Sequence, residues 1–429
     1  MQGILTKSKR FLGNWSWLRK QYFRSKLRWN IRQVAAGWAD LPASGKSERN
    51  PATLIFSRFG TETIGNHFIQ LGLLRVAFDV SPTREVFLLS SAIDVTESGI
   101  AGILELLSRI PEVNELARFI VEKVSVVGEE SIRSLGPGDL LVLGGGPIMD
   151  DPALAKWLLW FKWARRAGAR VMIAGCGVGP LRETATISMA GSLLGLADVL
   201  VIRNKLPKNL VRATRSPLWI ALDPAFLCAP ILAQLVGPKR SMLAVNARAI
   251  GFDSNPDVRV SHDEVIERVL NHALAAAECV DFSEILPFST QEGTDLPDSA
   301  FAVRVARSLG EKLNIPVRPL PETSIPGIVD SLLPAEFVLS TRMHGFIIGL
   351  LLGCRAAGID YIAGNGKCVD LYRDWFGRSA SPSLFIPGSL HCEDFVSLSD
   401  LEDGENSING LLNTYAGAMR QALSEGTTS

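Results

Sequence analysis

From residue 51 onward, short apolar runs alternate with stretches of helical periodicity, and that alternation limits the fold more than any other feature of the chain. The runs fall at 53–56, 86–89, 123–127, 140–143, 170–173, 199–202 and 218–221, with helical stretches such as 66–78, 152–167 and 185–194 between them. Short strands that are apolar throughout are buried on both faces, which means a parallel sheet sandwiched between helices. The pattern breaks at 228–239, where Pro230, Gly237 and Pro238 flank a short apolar segment. It then restarts at 242–245 and continues through 284–286, 317–320, 337–339 and 356–359. At 429 residues the chain suits two domains of about 200 residues each. The expected architecture is α/β, with two Rossmann-like domains facing a cleft: residues 51–235 and 236–429, preceded by a basic region at 1–50.

In open α/β sheets ligands bind beyond the carboxyl ends of the strands. Both glycine-rich segments are expected at such ends. One is Gly144-Gly145-Gly146-Pro147, ending in Asp150; the other runs from Gly175 through Gly177 and Gly179 to Pro180. Glycine lets a ligand approach backbone amides closely, although a tight strand-to-helix turn needs glycine as well. The dinucleotide fingerprint G-x-G-x-x-G is absent, and Arg203 stands where an acidic ribose ligand would close the next strand. A nicotinamide or flavin enzyme is therefore disfavoured.

The sharpest chemical signal is Ser340-Thr341-Arg342-Met343-His344-Gly345, at an expected strand-to-helix junction. Amides at a helix N-terminus favour an anion, Arg342 adds a bidentate fork, and His344 can move a proton near neutral pH. Arg203 closes the 199–202 run, so across a cleft Arg203 and Arg342 can grip one anion from opposite sides. Arg203 also reads as a structural arginine satisfied by a carboxylate.

Formal net charge is zero, but it is unevenly spread: residues 1–50 carry 11 Lys/Arg against Asp40 and Glu48. There, Phe11, Trp15, Leu18 and Tyr22 form one helical stripe flanked by Arg19, Lys20, Arg24, Lys26 and Arg28. Such a segment fits a peripheral helix on an anionic membrane face, and equally a helix packed on the body or a basic tail. The acidic remainder offers no second basic patch, so nucleic acid is not an expected partner. No run approaches the roughly 18 apolar residues of a membrane span, and the N-terminus does not read as a secretory signal. The six cysteines, at 176, 228, 279, 354, 368 and 392, show no C-x-x-C or metal spacing, and are expected to be reduced and mostly buried in a cytoplasmic protein.

Taken in order, Phe59-Gly60 with Gly65-Asn66, Gly144-Gly145-Gly146 with Asp150, Gly175-x-Gly177-x-Gly179-Pro180, Val201-Ile202-Arg203, Asp223-Pro224-Ala225-Phe226, Leu286-Pro287-Phe288 and Ser340-x-Arg342-x-His344-Gly345 resemble the polysaccharide pyruvyl transferase family, over roughly residues 53 to 377. The resemblance implies a fold like the two-domain glycosyltransferase-B architecture. It implies transfer of the enolpyruvyl carbons of phosphoenolpyruvate onto a sugar, free or lipid-linked, as a pyruvate ketal, with neither metal nor other cofactor. By the same resemblance His344 is the general acid, and Arg203, Arg342, Met343, Gly145, Gly146, Asn66 and Lys367 are substrate ligands. Two departures stand out. Tyr361 and Lys367 are separated by five residues, where the family commonly has Tyr-x-x-Lys, and Thr61 follows Gly60 where an acidic residue is common. The same architecture also suits a nucleotide-sugar glycosyltransferase, with Asp360 or Asp370 gripping ribose, or a non-catalytic scaffold in polysaccharide assembly.

Overall fold

The computed structural model describes residues 50–57, 59, 61, 63–214, 216–248, 262–291, 298–360, 367–378, 382–383, 390–401 and 408–424, together with Ser25. The expected helix through Phe11 and Tyr22, and the turn at Gly60, lie outside the described residues. Among those described, no helix is long and apolar enough to cross a membrane.

The first sheet comprises β1 (Thr53–Phe56), β2 (Val86–Ser90), β3 (Val124–Gly128), β4 (Leu140–Gly144), β5 (Pro147–Ile148), β6 (Arg170–Val178), β7 (Val199–Ile202) and β8 (Leu218–Ile220). Its order is β3-β2-β1-β4-β6-β7-β8, every pairing is parallel, and β5 adds to the end of β6. The crossovers run through α1 (Ile64–Val80), α2 (Ile93–Leu107), α3 (Asn114–Lys123), α4 (Ala153–Arg166) and α5 (Thr184–Leu196). Leu140, Leu141, Val142 and Leu143 are all buried, as strands covered on both faces require.

The second sheet is also parallel, in the order β10-β9-β11-β12, built from β9 (Arg240–Asn246), β10 (Glu284–Pro287), β11 (Ala335–Ser340) and β12 (Arg355–Gly358). Around it lie α6 (His262–Cys279), α7 (Asp298–Leu313), α8 (Ile325–Leu332), α9 (Met343–Leu351) and α10 (Lys367–Asp374). The last helix, α11 (Ile408–Ser424), returns to the first sheet and packs on α1, β6 and β7, with Tyr415 fully buried. One apolar core runs through both sheets, from Ile55 and Val142 to Val338 and Phe346. This is the two-domain α/β architecture of glycosyltransferase-B type.

Three local expectations are corrected. The 317–320 run is not a strand: only Val317 bridges Ile285, because Pro316 and Pro319 have no N–H to give a ladder. Gly175 and Gly177 form no turn but lie within β6, which runs on to Val178. Finally, Cys279 at the end of α6 and Cys392 are joined as a disulfide, their Cα atoms 4.8 Å apart, whereas Cys176, Cys228, Cys354 and Cys368 are free and buried. A pair 113 residues apart in sequence leaves no local spacing to read.

Candidate active site

Each sheet changes direction at one place, between β1 and β4 in the first and between β9 and β11 in the second. Crossovers on either side of such a point leave opposite faces, so the strand ends there open into a crevice. Both crevices open into one cleft of about 640 Å³. From the first sheet come Thr61, Thr63 and Asn66 after β1, Gly146 after β4, and Arg203 after β7. From the second come Arg248 after β9, and Arg342, Met343 and His344 after β11.

The β11–α9 junction is braced by its own polar residues. Ser340 Oγ accepts from the Arg342 amide at 3.1 Å and donates to the Arg342 carbonyl at 2.8 Å. The Thr341 amide donates to the Asn246 carbonyl, and Thr341 Oγ1 accepts from the Arg248 amide at 2.7 Å. Arg342 is the N-cap residue of α9, so Met343, His344 and Gly345 form a first turn whose amides have no i−4 acceptor within the helix. Arg342 Nε donates to Asp298 Oδ2 at 2.5 Å, with the aspartate almost wholly buried. That contact fixes the plane of the guanidinium at the cleft wall.

Arg203 Nη1 donates to Asp223 Oδ2, and both side chains are buried. His344 Nε2 lies 3.8 Å from the same oxygen. Burial alone would raise the Asp223 carboxyl, but Arg203, then His344 and the Ala225 amide, hold it well below the ordinary carboxylate range. The structure thus builds an Arg203–Asp223–His344 chain. The family-like glycines make room for it: a Cβ on Gly177 would come within 2.7 Å of Arg203 Nε, and one on Gly65 in α1 would strike the His344 ring. Gly65 and His344 belong to different sheets, so the imidazole is seated only when the two halves meet. They are also pinned by the Ile64 amide donating to the Thr290 carbonyl at 2.9 Å and by a bridge between Thr63 and Gln291.

The other expected residues divide. Gly146 and Met343 line the cleft, as does Asn66, whose side-chain amide donates to Thr61 Oγ1 at 2.7 Å. Gly145 faces Ile69 instead, its N–H donated to the Ala174 carbonyl, and at φ +66° it serves the turn itself. Lys367 begins α10, and its side chain lies outside the described residues. Asp150 holds the segment that enters α5, accepting from the Arg182 amide and Thr186 Oγ1. Sequence reasoning gave no role to Asp223, Asp298 or Arg248. Asp223 could have been found from its place in the Asp-Pro-Ala-Phe motif, whereas Asp298 and Arg248 carry no local signal.

The sequence pattern of the family described as polysaccharide pyruvyl transferase matches residues 13–362. No curated protein matches the chain in sequence. Among solved structures, it is similar to a putative UDP-N-acetylglucosamine 2-epimerase from Listeria monocytogenes (13% identity, 88% of this chain and 98% of that one, TM-score 0.43). It is also similar to UDP-GlcNAc 2-epimerase from Neisseria meningitidis (10%, 88% and 100%, 0.45) and to a heptosyltransferase from E. coli (13%, 73% and 91%, 0.35).

Proposed function

The chain belongs to the polysaccharide pyruvyl transferase family, and from that premise we propose that it moves the enolpyruvyl carbons of phosphoenolpyruvate onto a sugar of a cell-surface glycan or its precursor as a pyruvate ketal. The observation that carries this reading is the Arg203–Asp223–His344 chain opening on the same cleft as Arg342 and the first turn of α9. Phosphoenolpyruvate brings a phosphate and a carboxylate. The α9 N-terminus suits one anionic group, and the free edges of the Arg342 and Arg203 guanidiniums suit planar, bidentate oxygens.

Ketal formation needs a proton at the methylene carbon of the donor. His344 supplies it, and Asp223, held ionised beside Arg203, stabilises the protonated imidazole. Proton addition leaves positive character at C2, which the first sugar hydroxyl attacks. Phosphate leaves with the bonding pair, and the second hydroxyl closes the ketal. Of the two hydroxyl protons released, one replaces the proton His344 gave to carbon and the other leaves with phosphate or solvent. The donor arrives already activated, so this scheme uses neither metal nor nucleotide.

A ligand screen separates this reading from a nucleotide-sugar transferase. At 100 times its dissociation constant a ligand adds about 2.7 kcal/mol to stability, so phosphoenolpyruvate should raise the melting temperature clearly while UDP- and ADP-sugars leave it in place. Stabilisation by a nucleotide sugar and not by phosphoenolpyruvate would reverse the assignment.

A further inference from the structure

The cleft is longer than the donor chemistry uses. Its outer wall is formed by α10, Trp375 and the segment after β7, with Lys205 Nζ 4.0 Å from Asp374 of α10. Asp370, Arg373, Trp375 and Lys205 have no task in holding phosphoenolpyruvate in the scheme above, and α10 lies beyond the stretch over which the family pattern matches.

This wall is firmly held. The Phe346 ring stacks on Tyr372 with centroids 5.5 Å apart, and Tyr372 meets Phe376 at 6.0 Å. Tyr372 Oη accepts from the Gly358 amide at 3.0 Å and donates to the Asp394 carbonyl at 2.6 Å. Trp375 Nε1 donates to the Arg203 carbonyl at 3.4 Å, which ties the indole to the strand end that carries the donor-side arginine. The half-buried indole therefore offers a fixed aromatic surface beside the charges of Asp370, Arg373 and Lys205.

We propose that this outer wall is the acceptor subsite, in which Trp375 carries the apolar C–H face of a sugar ring and Asp370 takes the proton from the attacking hydroxyl. The inference rests on the pyruvyl-transfer reading above. A sugar is amphipathic, with an apolar ring face and a polar rim, and an immobile indole flanked by charged donors and acceptors is matched to both. The acidic side chains lining the main cleft, among the described residues, are Asp223 and Asp370, while Asp360 is buried in a small recess beside Arg342 and His344, away from the outer wall. Asp223 is committed to Arg203 and His344, whereas Asp370 is held by Arg373 Nη2 at 2.8 Å on the face that lines the outer cleft. In the step assigned to Asp370, the acceptor O–H bond breaks and its proton goes to the carboxylate. The oxygen bonds to C2 of the donor as His344 protonates the methylene carbon, and the C2–O bond to phosphate then breaks. Burial, with Asp374 adding to it, pushes the Asp370 carboxyl up against the pull of Arg373 and Arg203, which makes it a better base than a solvated carboxylate.

The test uses the full chain with phosphoenolpyruvate and a panel of methyl glycosides of galactose, glucose, mannose and their N-acetylated amino forms, following phosphate release. Stabilisation by phosphoenolpyruvate alone is read in parallel. W375A should raise KM for the best glycoside about tenfold or more, with stabilisation by phosphoenolpyruvate unchanged. D370N should lower kcat by ~10²–10⁴ and remove the acid limb of the rate profile, again with donor binding intact. Unchanged acceptor KM in W375A, or an unchanged acid limb in D370N, overturns the subsite while leaving the donor reading in place. Donor stabilisation with no glycoside accepted overturns the assignment of this wall to a sugar. An enzyme that neither binds phosphoenolpyruvate nor releases phosphate overturns the donor reading, and this inference with it.

Discussion

At the scale of single residues, the site depends on charges that satisfy one another before any ligand arrives. H344Q keeps a hydrogen-bond donor but cannot deliver a proton, so phosphate release should fall by ~10²–10⁴ while the fold survives. Near wild-type turnover would show that His344 only positions the donor. D223N separates the second role. The amide still accepts from Arg203, but the negative charge that favours protonated His344 is gone, so the basic limb of the rate profile should move to lower pH. D223A should be worse in another way, because leaving Arg203 buried without its partner costs about 3–5 kcal/mol, read as a drop in denaturant midpoint. The sign of the pH effect on stability follows from the same carboxylate. Its folded-state value is depressed, so its contribution is full above the unfolded value of about 4 and is lost as the pH falls below it. His67 adds to this at milder acidity: burial lowers its value below 6.5, against the pull of its bond to Gln70, so neutral His67 favours the fold above that pH and the benefit fades below it. Burial lowers His272 in the same direction, so chemical denaturation at pH 7.5, 5.5 and 3.5 should show a first loss that H67Q reduces and a second that it leaves unchanged.

At the scale of elements, the sequence revealed strands well and side-chain partnerships poorly. Apolar runs such as 140–143 and 199–202 lie within the observed β4 and β7 because burial on both faces leaves a continuous local signature. The β11–α9 junction was legible for the same reason, since an apolar strand, a polar turn and an apolar helix follow one another directly. What was not legible depends on distance along the chain. Arg342 meets Asp298 44 residues away, and Cys279 meets Cys392 113 away, through tertiary placement that no periodicity encodes. Gly65 is the instructive case, because its neighbour Asn66 was singled out while the glycine itself is what lets α1 reach His344. Gly65→Ala should improve helix propensity by up to about 1 kcal/mol, yet overpack the imidazole at a cost of about 1–3 kcal/mol and lower turnover at least tenfold. Gly102→Ala in α2 is the control: its Cβ would meet Ile325 at an ordinary 3.4 Å, so stability should rise with turnover unchanged. Equal activity of the two variants would remove Gly65 from the site.

At the scale of the whole molecule, two sheets that could have been separate domains share one core. Residues of β1, β4, β9, β11 and α9 belong to the same apolar cluster, and α11 returns from the far end of the chain to lie on the first sheet, where Tyr415 Oη donates to the Leu222 carbonyl at 2.8 Å. An interface of this kind makes the halves interdependent, because unfolding either one exposes core surface of the other to water. Thermal unfolding should therefore be one cooperative transition, with calorimetric and van't Hoff enthalpies close to equal despite the chain's length. On the proposed function phosphoenolpyruvate would be gripped by residues from both sheets, and it should move that transition as a unit. Only a stabilisation of one half that exceeded its coupling to the other would split the profile as the donor concentration rises. Differential scanning calorimetry with increasing phosphoenolpyruvate decides between these outcomes. A single peak that shifts upward supports one cooperative unit that binds the donor, and a peak that divides would show that the two halves are not interdependent.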